Sequence, residues 1–159
     1  MEQTRRDVPT RAMAATWSVL GFCLLAGSLA LPGVARADGA IAVGLPNDVA
    51  AQGVSSFIYV GAQNMADARR EALVGCKTKT PASQAPKALC KVAATFRNQC
   101  AAEAFDPEDG TPGFGWAIAD TLAEAKRDAL ANCRDTAGPG RQDKCIVPPN
   151  GFNCDGRAR

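Results

Sequence analysis

Two stretches decide the fold of this chain: "ADARREALVGC", residues 66–76, and "AEAKRDALANC", residues 123–133. They are spaced by 57 residues, and each is a charged, alanine-rich segment ending on a cysteine. Met65, Ala68, Ala72, Leu73 and Cys76 recur at helical spacing, and so do Leu122, Ala125, Ala129, Leu130 and Cys133. Each stretch therefore predicts a helix with one apolar face, and the alanines on that face allow close approach to a sheet. Thr121 and Glu124 form a T-x-x-E capping box at the start of the second helix, and Asn64 with Asp67 is the weaker counterpart in the first. Arg69, Arg70, Lys126 and Arg127 fall largely on the outer, solvated faces.

The match extends outward from the helices. The same shift lays Phe57 on Phe114 and Tyr59 on Trp116, while Cys90 and Cys145 follow at nearly the same distance. Cys100 and Cys154 close the two copies. Each copy reads as strand, strand, helix, strand. "GAIAVG" and "CAAEAF" open the copies; "SSFIYVGA" and "GFGWAIA" are second strands on their aromatic and β-branched content. Loops rich in Pro, Gly and polar residues lead to third strands near Cys90 and Cys145. The expected fold class is α+β: two pseudo-symmetric repeats, residues 38–99 and 100–159, in one small domain.

The first 37 residues stand apart. Arg5, Arg6 and Arg11 make a basic start, residues 12–35 carry no charge, and "ARA" ends at Ala37. That order predicts a secretory signal peptide cleaved before Asp38, in preference to a retained membrane anchor. Without the signal's four arginines, Glu2 and Asp7, 14 basic and 14 acidic residues remain. A neutral chain gives no electrostatic case for nucleic acid or an anionic membrane.

Cys23 leaves with the signal, and six cysteines remain: Cys76, Cys90, Cys100, Cys133, Cys145 and Cys154. An even number in an exported domain of 122 residues reads as a disulfide framework. Zinc is the competing reading, but C-x-x-C spacing and histidine are both missing. A bridge from each helix end to the next strand closes about a dozen residues and is worth roughly 3 kcal/mol. The repeat symmetry then pairs Cys76 with Cys90 and Cys133 with Cys145, leaving Cys100 with Cys154 to tie the copies together.

"GAIAVG", the aromatic strand, the A-x-A-x-x-x-A-L-x-x-C helix, "CKV", "NQCAA" and the second similar round resemble a bacterial family of exported proteins carrying the domain of unknown function 4189. The resemblance implies export, disulfides and α+β architecture, and no shared activity. The chain departs from the pattern in "CIVPPNGFNC", where two prolines replace a run of valines.

The chain has no histidine, which removes Ser-His and Cys-His nucleophiles and most catalytic metal sites. "FDPEDG" gathers Asp106, Glu108 and Asp109; a polar hairpin turn is the default, with calcium as the rival, although the D-x-[DN]-x-[DN]-G register is missing. Tyr59 and Trp116 are core candidates that become partner anchors if either lies on an open face. The resulting expectation is an exported, monomeric, non-enzymatic module that binds a protein in the periplasm or outside the cell, without cofactor or metal. Tyr59, Trp116, Asp106, Glu108 and Asp109 are its candidate binding residues. A cell-wall hydrolase working through carboxylates is the rival, and a structural envelope component is the third reading.

Overall fold

The structure, a computed structural model, describes residues 38–156 and 158. The expected signal peptide lies outside the described residues. Strand β1 (Asp38–Gly44) is followed by a one-turn helix α1 (Val49–Gln52), strand β2 (Ser55–Ala62) and helix α2 (Met65–Thr78). A short helix α3 (Gln84–Ala88) leads to β3 (Lys91–Arg97). The second half runs β4 (Cys100–Phe105), β5 (Phe114–Ala119), helix α4 (Leu122–Thr136), a 3-10 turn at Gln142–Lys144 and β6 (Phe152–Cys154). The strand, strand, helix, strand order thus occurs twice, and each copy builds its own three-stranded antiparallel sheet. The sheet orders are β2-β1-β3 and β5-β4-β6.

The two main helices form where the caps predict. Asn64 accepts from the Asp67 amide at 2.9 Å, and Thr121 accepts from the Glu124 amide at 3.3 Å. Ala68, Ala72 and Cys76 of α2 bury against Ala40 and Ala42 of β1. In the second copy Ala125, Ala129 and Cys133 of α4 bury against Cys100, Ala102 and Ala104 of β4. The opposite faces of the sheets meet each other: Ile41, Val43, Ile58 and Ala94 pack with Phe105, Phe114, Trp116 and Ile118. The layers are helix, sheet, sheet, helix. This is why β1 is buried along its whole length and lacks apolar-polar alternation.

Three disulfides join Cys76 to Cys90, Cys133 to Cys145 and Cys100 to Cys154, as the repeat symmetry requires. The first two staple each helix end to the following segment. The third departs from expectation, because Cys100 and Cys154 are direct partners on adjacent strands of the second sheet. It closes one copy and does not tie the two together. Three such bridges mean an oxidising, extracytoplasmic environment. Among the described residues no helix is long and apolar enough to cross a membrane.

Three local differences have physical causes. The loop after α2 contains helix α3, because Pro86 sits in its first turn, where a missing amide costs no helical bond. The third strand of the second copy is broken: Ile146 makes an isolated bridge to Phe105, Pro148 starts a turn closed by the Gly151 amide at 3.0 Å, and pairing resumes at Phe152. Finally, β2 carries an extra residue between Tyr59 and Ala62, which oppose Ala40 and Asp38. Gly61 takes φ 82° within this bulge, a conformation glycine adopts readily. The bulge undoes the aromatic match. Phe57 and Tyr59 face helix α2, whereas Phe114 and Trp116 face the space between the sheets.

Candidate functional site

At one end of the seam between the sheets lies a cleft of about 590 Å³. Its walls come from three places: α1 and the residues after it, the segment following α2, and the β4–β5 hairpin. Val54, Phe105 and Phe114 supply apolar surface, while Ser56, Glu103, Asp106, Glu108 and Asp109 supply polar groups. No lysine or arginine is among the described residues that line it.

The hairpin is organised by Asp106. Its amide donates to the Gly113 carbonyl at 3.0 Å, and its Oδ1 accepts from the Glu108 amide at 3.1 Å. Arg141 grips the same carboxylate through Nε and, at 2.8 Å, through Nη2. Nη2 also reaches Glu108 Oε2 at 2.8 Å. One guanidinium thus serves two of the three acids expected from "FDPEDG", and Arg141 beside Asp106 holds that carboxyl below the usual range. Asp109 lines the same cleft from the exposed turn.

The fourth acid, Glu103, was not among the residues the sequence singled out. It lies on β4 opposite Trp116 and turns toward the first sheet, where it accepts from the Ser56 hydroxyl. Its amide donates to the Gly151 carbonyl at 2.7 Å, and the absent side chain of Gly151 leaves it space. Burial pushes the Glu103 carboxyl up, and the Ser56 hydrogen bond offsets part of that shift. The available signal was one charge inside an otherwise apolar strand, "CAAEAF".

Tyr59 is not brought together with the acids, and Trp116 neighbours Glu103 across β4 and β5 but does not line the cleft with Asp106, Glu108 and Asp109. Tyr59 packs beside the alanine faces of β1 and α2. Trp116 joins the inter-sheet cluster and also borders a shallow concavity with Leu45, Asn132 and Thr136. The six cysteines serve the framework. Among the described residues no three Cys, Asp or Glu side chains converge as metal ligands.

Two small sheets back to back, a helix stapled outside each, and an acidic cleft at their seam define a class: a duplicated, disulfide-braced α+β module. Within that class the chain belongs to the family of the domain of unknown function DUF4189, whose pattern it matches over residues 38–147. No curated protein matches the chain at a significant level, and no solved structure does.

Proposed function

We propose that this chain is an exported, monomeric binding module that recognises another protein, in the periplasm or outside the cell, through the acidic cleft. The carrying observation is the way the hairpin is held. Asp106 and Glu108 share Arg141, so the turn that frames the cleft is braced by a bidentate ion pair on a disulfide-locked sheet. A wall fixed in this way suits recognition, because little ordering remains to be done on association. Glu108 and Asp109 are exposed on it and accessible to a partner. The test is affinity capture from envelope extract with oxidised protein of residues 38–159. A protein retained by wild type and lost by Glu108→Gln/Asp109→Asn supports the reading. Equal retention by both removes the cleft from the interface, and retention of nothing by wild type removes the reading.

One observation favours a carboxylate hydrolase as the second reading. Glu103 and Asp106 line the same cleft in unlike surroundings. Glu103 is half-buried against the neutral Ser56 hydroxyl, which goes with a raised pKa, and Asp106 is gripped by Arg141, which goes with a lowered one. Such divergence separates an acid from a base in glycosidases. Turnover of cell-wall material by wild type, abolished in Glu103→Gln, would favour this reading over binding.

A further inference from the structure

We infer that the cleft seats a basic side chain, lysine or arginine, presented by the partner protein, with its aliphatic stem along the apolar wall and its cation toward Glu103. This rests on the protein-binding reading above and supplies the chemistry of the occupant.

Charge complementarity is the first argument. Residues 38–159 balance acids and bases, yet among the described residues the cleft gathers four carboxylates and no cationic side chain in its lining. Arg141, which is not among the described lining residues, engages Asp106 and Glu108. Glu103 accepts from a neutral hydroxyl, that of Ser56, in a place where burial disfavours its ionised form. A cation brought against it would relieve that penalty, whereas an anion would deepen it.

Shape is the second argument. Val54, Phe105 and Phe114 offer apolar surface beside the acids, and a lysine or arginine stem packs on such surface while its head reaches a polar group. A volume near 590 Å³ exceeds one side chain and leaves room for flanking residues of a peptide segment. The absence of three converging ligands among the described residues fits a bare metal ion poorly.

The experiment is an amide-resolved NMR titration of oxidised protein of residues 38–159. The probes are the N-acetyl methylamides of lysine, arginine and norleucine, with spermidine as a free cation. The expected result is weak, saturable binding of the lysine or arginine probe that shifts Ser56, Glu103 and Phe114. Glu103→Gln should weaken it about thirtyfold or more, as loss of one partner of a desolvated charge pair does. Asp67→Asn, on the outer helix, should leave it unchanged. Equal binding of norleucine, unaltered affinity in Glu103→Gln, or binding of spermidine alone would each overturn the inference.

Capture separates this failure from that of the parent reading. A protein retained equally by wild type and Glu103→Gln refutes the basic seat and leaves the binding module standing. Bound probes with no protein retained overturn both, since the occupant would then be a small ligand.

Discussion

Arg97 faces Asp38 across β1 and β3 at the register position that Cys154 holds against Cys100 across β4 and β6. Asp38 begins the central strand of the first sheet as Cys100 begins that of the second, opposite Ala62 and Ala119 respectively. One copy therefore closes its sheet with a disulfide and the other with an ion pair, whose Arg97 Nη2 lies 2.9 Å from Asp38 Oδ2. The Asp38 side chain is 1% exposed and that of Arg97 45% exposed, so the two partners are unequally sensitive.

Arg97→Ala should lower the melting temperature by about 5 °C or more, because it strips a bidentate ion pair from a buried carboxylate. Asp38→Ala/Arg97→Ala should recover part of that loss. Thermal denaturation followed by circular dichroism checks both, and a double variant worse than Arg97→Ala would refute the argument.

Glu103→Gln should raise the melting temperature at pH 7 by roughly 2–5 °C. A carboxyl whose folded pKa is raised contributes stability below its unfolded value, about 4.3, and loses it as pH rises through the folded value. The gain should therefore vanish below about pH 4. A variant that loses the basic probe while gaining stability cannot owe the loss to unfolding.

Asp106 has the opposite sign. Its folded pKa is depressed by Arg141, so its contribution is present above the unfolded value near 3.9 and is lost as pH falls through the folded one. Melting curves of wild type and Arg141→Gln should lie apart at neutral pH and converge in acid below about pH 4. A constant separation down to pH 2 would contradict this.

Two glycines at helix–sheet contacts, Gly75 and Gly115, should respond unequally to alanine. A Cβ at Gly115 meets backbone of α4 at Asn132 and Cys133, whereas one at Gly75 meets the Phe57 ring. Gly115→Ala should cost about 2–3 kcal/mol in urea denaturation. Gly75→Ala should cost less, since a ring can shift and alanine favours helix by nearly 1 kcal/mol.

Replacing a cysteine pair by alanines should cost most at Cys100–Cys154, which spans 54 residues, against 14 and 12 for the others. Loop-closure entropy gives about 4 kcal/mol for the first and about 3 for each of the others. Denaturant midpoints rank the three.

Much of this architecture can be read from the residues because it was written twice. The helix faces, the Asn64 and Thr121 caps and the order of six cysteines each appear in duplicate, and local capping and periodicity suffice to place them. The bulge at Gly61 escapes such reading, because a sheet's side-chain period of two turns one extra residue into a change of face. That is why Tyr59 and Trp116, aligned in sequence, lie in different layers. The cleft was half visible. Asp106, Glu108 and Asp109 announce a turn, but Glu103 sits five residues before Glu108 in a strand whose facing sheet comes from the other copy. No local pattern records which sheet will cover it.

Among the described residues no disulfide crosses from one half to the other. A single cut between Asn98 and Gln99 would yield two fragments, one holding Cys76–Cys90 and the other the remaining two bridges. They would stay associated through the inter-sheet apolar cluster and the Asp155 carboxylate, which accepts from the Gly61 and Asn98 amides. Proteolysis at that turn would thus convert one chain into a dissociable pair, and the acidic cleft, with Ser56 on one piece and Glu103 on the other, would exist only while they remain together.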